Sequence, residues 1–253
     1  MDGSLTLPGM TSLAARRLPW GQCQNARDLG GLPTLDGRTI RPLALIRSDN
    51  HDRLGETGVV ALRQAGIRRV VDLRSGWEAE RFPSPLRDDP EYLNVPLFDE
   101  ADTEGRDLVQ AAETVLEVYR IMLERYPRQV VSALRAIAGA PTGGVAVHCH
   151  AGKDRTGVVV ALALQVAGVA PEVIAADFAL TDECLGRHYA EELAAVPEGE
   201  GRARLPSFQQ ARADTMLALF GHLRGTYGSV ETYLRSGGME DETFVHLRDR
   251  LRA

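Results

Sequence analysis

The chain has 253 residues, 44% of them hydrophobic and 25% charged, which suits a soluble globular protein with a sizeable core and excludes a disordered or fibrous chain. With 29 basic against 35 acidic side chains the formal net charge is -6, so no overall positive field draws it to nucleic acid or to an anionic membrane surface. An anionic ligand has to be held by a local pocket instead.

Residues 1–20 are mixed in character and read as an N-terminal arm, loosely attached, without the basic start and apolar block of a signal peptide. The segment Asn25-Ala26-Arg27-Asp28-Leu29-Gly30-Gly31-Leu32-Pro33 is turn-rich, and Asp36-Gly37 signals a tight turn. Leu43 to Arg47 is expected to be a strand, Thr57 to Ala65 a helix closed by Gly66, and Arg69 to Leu73 a short buried parallel strand. Another strand is expected over Tyr92 to Pro96. One continuous helix is predicted from Leu108 to Arg125, with Val109, Ala112, Val115, Leu116, Tyr119 and Leu123 forming its apolar side. Pro127 begins a second helix that runs to about Ala138. Gly144 to His148 reads as a strand and Thr156 to Ala167 as a helix; beyond Pro171 the pattern is helical, interrupted near Pro197-Glu198-Gly199-Glu200-Gly201. Strand and helix alternate, so the expected architecture is α/β: a central, mostly parallel twisted sheet flanked by helices, with a helical C-terminal section. No internal repeat is visible. The organisation expected is a single domain over 1–253, with 182–223 a candidate helical lid.

Three cysteines, Cys23, Cys149 and Cys184, are few, odd in number and not at metal-ligand spacing. They argue against a disulfide framework or a zinc site and for reducing surroundings. The longest apolar run, Val158 to Ala170, carries Gln165 and is too short to cross a bilayer, so a cytoplasmic protein without stable membrane insertion is expected.

The chemistry concentrates in His148-Cys149-His150-Ala151-Gly152-Lys153-Asp154-Arg155-Thr156-Gly157. Lys153 is the only lysine among the 29 basic residues, and it stands between a cysteine and an arginine separated by five residues. A buried strand ends at Cys149, a short loop follows, and a helix starts. Ligands of open α/β sheets bind beyond the carboxyl ends of the strands. There the loop amides and the free N–H groups of the helix start converge on one point and make an anion nest. The same positive end, with basic neighbours, favours a thiolate at Cys149. Arg155 supplies a planar fork for two phosphate oxygens. Thr156 is placed to hydrogen-bond the sulfur. A thiolate aimed at an anion so held is arranged for covalent phosphoryl transfer.

This segment resembles the signature of the cysteine-dependent tyrosine and dual-specificity phosphatase superfamily, and in Ala151 to Gly157 it is most similar to the bacterial branch of atypical tyrosine/lipid phosphatases. Asn25 to Gly31, Leu45-Ile46-Arg47-Ser48-Asp49, Val70-Val71-Asp72-Leu73-Arg74-Ser75 and Tyr227 to Leu234 fit that branch too, so the resemblance runs from about residue 20 to about residue 250. It implies a phosphomonoester hydrolase working through a cysteinyl-phosphate on phosphotyrosine-type or phosphoinositide-type substrates, with no cofactor and no metal. Cys149 would attack phosphorus, Arg155 and the amides of His150, Ala151, Gly152, Lys153 and Thr156 would hold the phosphoryl oxygens, and water would release phosphate. For the general acid the branch points to Asp154 inside the loop. Asp72, at the end of a strand, ranks second. Asp99, with Asp102 beside it on an upstream loop, ranks third. Lys153 resembles the loop lysine of phosphoinositide phosphatases and would bind a second phosphate. His148 is expected to orient the loop, His150 to lie at the rim, and Arg27, Asp28, Arg47 and Arg74 to form scaffold ion pairs.

The partners implied are a phosphorylated protein, a lipid headgroup or a small phosphorylated molecule, and not nucleic acid. Two other readings compete: a phosphate-binding module of the same fold without catalysis, and a phosphatase of a small phosphorylated metabolite or nucleotide. A P-loop nucleotidase is excluded, because Asp154 stands where Ser or Thr is needed after Gly152-Lys153 and no earlier glycine has the right spacing.

Overall fold

The computed structural model describes residues 12–253. Five strands form one sheet: β1 (Arg27–Asp28), β2 (Leu45–Ser48), β3 (Ile67–Asp72), β4 (Tyr92–Asn94) and β5 (Gly144–His148). Their spatial order is β1-β2-β5-β3-β4; β1 runs antiparallel to β2 and every other pairing is parallel. The helices are α1 (Leu13–Arg16), α2 (Gly55–Gln64), α3 (Gly76–Arg81), α4 (Thr103–Ala111), α5 (Val115–Arg125), α6 (Pro127–Ala138) and α7 (Asp154–Val166). The C-terminal section adds α8 (Pro171–Ala195), α9 (Glu200–Gln209), α10 (Ala213–Tyr227), α11 (Val230–Ser236) and α12 (Asp241–Leu251).

β5 is buried along its whole length because both faces of the sheet are covered. Val145 and Val147 point into the larger core, built on Tyr119, Met122, Leu134, Val159, Leu162 and Leu219 among others. Ala146 points the other way, into a smaller core with Trp20, Leu54, Leu62 and Val70. Register brings Ser48 and Asp72 level with His148, so the carboxyl ends of β2, β3 and β5 finish on one line. The loop beginning at Cys149 leaves from the middle of that line.

Three expectations change. Residues 1–11 of the expected arm lie outside the described residues, but 12–20 are packed: Leu13 and Arg16 are buried, and Trp20 sits in the smaller core. The single helix expected over Leu108 to Arg125 is two, α4 and α5. Thr114 caps the second one, accepting from the Glu117 N–H at 3.2 Å, while the Glu117 carboxylate accepts from the Thr114 N–H at 3.2 Å. This reciprocal box satisfies donors that a continuous helix would not leave free, so the chain restarts there. Short α3 was not anticipated; Ser75 and Glu78 cap it in the same way. The remaining boundaries fall within two residues or so of their expected places.

Removing the Thr114 hydroxyl should loosen the start of α5, whose inner face carries Tyr119, Met122 and Leu123. Thr114→Ala is expected to cost about 1 kcal/mol, read in urea titration as a lower midpoint with an unchanged slope.

Candidate active site

Between the end of β5 and the start of α7 the chain turns through Cys149, His150, Ala151, Gly152 and Lys153. Gly152 has φ of +66°, and a Cβ there would stand 2.3 Å from the Ser48 carbonyl oxygen, so only glycine lets the loop lie this close to the end of β2. Three successive loop carbonyls are pinned from outside. The backbone N–H of Asn50 donates to His150 O at 2.9 Å, the Asn25 side chain to Ala151 O at 3.0 Å, and Arg47 to Gly152 O at 2.7 Å. With the carbonyls drawn outward, the amides of the same peptides turn inward. The N–H groups of His150 to Asp154 have no acceptor among the described residues. The result is a ring of free donors at the start of a 13-residue helix, the geometry of an anion nest.

The pins are themselves held. Asp177 of α8 is 1% exposed and takes Arg16 at 2.7 Å, Arg27 at 3.2 Å and Arg47 at 3.3 Å. Burial alone would raise its carboxyl; Arg27, Arg16 and Arg47 outweigh it and hold the group well below the usual carboxylate range. Arg27 also donates to Asn25 Oδ1 and to Thr181 Oγ1, which fixes the side chain that reaches Ala151. Asp28 accepts from the N–H groups of Gly30 at 2.8 Å and Leu43 at 3.0 Å. Arg27 and Arg47 make the scaffold ion pairs expected of them, buried and aimed at the loop, whereas half-buried Asp28 makes no ion pair among the described residues and braces backbone amides instead.

Cys149 is 2% exposed, on the floor of the turn. Ala151 packs against a small cluster of Leu13 with Cys184 and Leu185 of α8, so that helix lies against the loop. Arg155, in the first turn of α7, makes a two-pronged pair with Glu78 of α3 at 2.5 and 2.8 Å. Burial raises the Glu78 carboxyl and the Arg155 hydrogen bonds more than offset it, bringing it to about 2. The guanidinium is therefore fixed from one edge. Lys153 is buried; its ammonium lies 3.4 Å from Asp154 and donates to the carbonyl of Phe208 in α9. Asp154 accepts from the Tyr119 hydroxyl at 2.8 Å and keeps 39% of its side chain exposed. Thr156 is buried and its hydroxyl has no partner among the described residues, so the bond to sulfur expected from the sequence is not made here. His150 is exposed, edge-on to Phe82 at 5.8 Å.

The other two acid candidates stand apart. Asp72 is fully buried, with Arg74 on both of its carboxylate oxygens and the Tyr92 hydroxyl on one. Against burial, His148 and Arg74 hold it well below the carboxylate range, so it has no proton to give. Asp99 is exposed; it accepts from the Ala101 N–H at 2.9 Å and lines a cavity of about 560 Å³ between α3 and α4, with Trp77 and Phe98. Asp102 caps α4 and is bound by Arg125 and Tyr126.

Glu78, Tyr119, Asn50 and Asp177 were not read from the sequence as site residues. Ser75-x-x-Glu78 carries a capping-box signal that would have placed Glu78 at a helix start. Asp177, a lone carboxylate inside the apolar run Val173-Ile174-Ala175-Ala176-Asp177-Phe178, is the pattern of a buried charge that must be paired. Tyr119 was counted only as core.

A strand-loop-helix with a cysteine at the strand end, free amides within and an arginine at the helix start defines a class of thiol-dependent phosphatases. The comparisons agree. The profile of the tyrosine phosphatase family matches residues 18–253. The chain is 31% identical to the triple specificity protein phosphatase PtpB of Mycobacterium tuberculosis, across 93% of this chain and 98% of that one. It is 30% identical to a tyrosine-protein phosphatase of Nostoc commune, across 87% of this chain and 78% of that one. The chain belongs to the tyrosine phosphatase family. Among the described residues no helix is long and apolar enough to cross a membrane.

The Arg155–Glu78 pair makes a pH prediction. Glu78 is lowered from 4.5 to about 2, so its contribution to stability is full above pH 4.5 and is lost as the pH falls from there through about 2. Thermal melts of Glu78→Gln should lose less Tm than the parent chain between about pH 5.5 and pH 3. Equal losses would mean that the pair adds nothing to folding.

Proposed function

We propose that this chain hydrolyses phosphomonoesters through a phosphocysteine at Cys149, with Arg155 and the loop amides binding the phosphoryl oxygens and Asp154 acting as general acid. The observation that carries this reading is the pinning of the His150, Ala151 and Gly152 carbonyls by Asn50, Asn25 and Arg47, because it leaves the amides of the same loop free to receive an anion above the cysteine. Donors fixed in advance stabilise charge on the equatorial oxygens without reorganising, which is where most of the barrier lowering arises.

The steps follow from the geometry. The Cys149 thiolate attacks phosphorus and forms an S–P bond as the P–O bond to the leaving group breaks. Asp154 gives its proton to the departing oxygen. Water then attacks the phosphocysteine, Asp154 takes a proton from it, and phosphate leaves with the thiolate restored. Tyr119 and Lys153 both approach Oδ1 of the partly exposed Asp154, which leaves Oδ2 to meet the leaving group. The Thr156 hydroxyl, without a partner among the described residues, is available to the sulfur as it becomes the leaving group. Arg155, the ammonium of Lys153 and the amides supply the positive charge, so the chemistry asks for no metal ion.

Substrates of the phosphotyrosine or phosphoinositide type fit best. Lys153 is the residue that favours more than one phosphate, but its ammonium is tied to the Phe208 carbonyl. Segment 182–223 then acts as a lid, and a multiply phosphorylated ligand competes with that carbonyl for the lysine.

Metal-free hydrolysis of p-nitrophenyl phosphate, inhibited by vanadate, is expected and should vanish in Cys149→Ser; turnover surviving that change would contradict the reading. Asp154→Asn should lower kcat/KM roughly 10²–10³-fold on phenyl phosphate and far less on substrates with better leaving groups. A uniform loss across leaving groups would remove Asp154 as the acid. Tyrosine-phosphorylated peptides and phosphoinositides assayed side by side, with Lys153→Met, rank the two substrate types.

A further inference from the structure

His51 is a fully buried imidazole that the mechanism above does not use. It opens a 3-10 turn, His51–Arg53, directly after Asn50, whose N–H pins the His150 carbonyl and whose side-chain oxygen accepts from Arg74 at 2.6 Å. Its ring lies flat on that of His148, with centroids 3.9 Å apart and planes 15° from parallel. Trp20 meets its edge at 6.2 Å. Neither ring nitrogen of His51 has a partner among the described residues. Leaving two buried polar atoms unpaired is costly, so hydrogen bonding does not explain a histidine here. The contact that His51 does make is the stack.

His148 is the residue being held. Its Nδ1 lies 3.2 Å from the carbonyl oxygen of Cys149, and its Nε2 lies 3.7 Å from Asp72. A bond to that carbonyl requires the proton on Nδ1. Turning the ring would break the bond and free the carbonyl dipole next to the sulfur.

We propose that His51 is a positioning residue for the nucleophile: its ring clamps His148 in the orientation that ties back the Cys149 carbonyl and so keeps that dipole off the thiolate. The groups that face the pair are Asp72 of β3, Arg74 just after it and, toward His148, Arg155 of α7; Tyr92 of β4 reaches the pair through Asp72 and Arg74. Burial, foremost, lowers the proton affinity of both imidazoles, and His148 adds to it at His51. The action of the stack is geometric: it fixes the plane of the His148 ring.

Thiol alkylation tests this without turnover, so the outcome does not depend on the phosphatase reading. Iodoacetamide modification of Cys149, followed by mass spectrometry against pH, reports the thiolate directly. His51→Leu keeps the bulk and removes the flat face; it should react roughly five- to ten-fold more slowly than the parent at about pH 6.5 and equally fast at about pH 9.5. His51→Phe restores a flat ring without nitrogens and should follow the parent at both. On p-nitrophenyl phosphate, His51→Leu should lose kcat/KM at low pH and recover it at high pH. Superimposable alkylation profiles for folded His51→Leu and parent would overturn the proposal and leave His51 as packing alone. A His51→Phe profile that follows His51→Leu would overturn it as well, because the ring face would then not be what matters.

Discussion

One buried carboxylate sets the shape of this site. Asp177 collects Arg16, Arg27 and Arg47 from α1, β1 and β2 onto a helix that follows the cysteine loop in the chain, and through Arg47 the cluster reaches the Gly152 carbonyl. Through that shared carboxylate the three guanidiniums are fixed in place beneath the loop. The cluster is also costly to assemble, since burying ions is repaid only when their hydrogen bonds are complete. Its position explains where that cost goes: into holding carbonyls outward so that amides face inward.

The same logic recurs at smaller scale around the loop. Glu78 fixes the Arg155 fork in two-pronged fashion, Tyr119 fixes one oxygen of Asp154, and His51 lies flat on His148. Each functional side chain thus has a partner from a different element: α3, α5 and the turn after β2. Preorganisation of this kind lets a short loop act as a rigid cradle although glycine and exposed residues make up part of it. The C-terminal helices close over the arrangement. Ala151 packs against the cluster that holds Cys184 and Leu185 of α8, and the α9 carbonyl of Phe208 takes the Lys153 ammonium, so the cradle and the C-terminal helices meet at two loop residues.

Much of this was legible in the chain. The apolar run Gly144 to His148, the glycine of the loop and the arginine opening a helix carried the strand-loop-helix unit, because burial and anion binding both impose narrow residue choices. Arg27, Asp28, Arg47 and Arg74 were recognisable as scaffold ions. The shared anchor of Arg27 and Arg47 was not, since Asp177 lies 130 residues from Arg47 and local pattern holds no information about that distance. The break at Ala112–Thr114 hid behind a helical apolar period that continues across it, and the capping box that ends the ambiguity is polar. Asp72 looked like an acid because it sits at a strand end; only the fold brings Arg74 and Tyr92 onto it and removes its proton. Trp20 and Arg16 looked like an arm because their partners are far away in sequence.

The central claim is that the sulfur of Cys149 becomes bonded to phosphorus during turnover. Rapid acid quench of the enzyme in the steady state, then peptide mass spectrometry, tests it directly. The account predicts one added phosphoryl group on the peptide containing Cys149, absent when vanadate is present and decaying when substrate is exhausted. Full turnover with no phosphoryl group on that peptide, or with one on a different side chain, would contradict it.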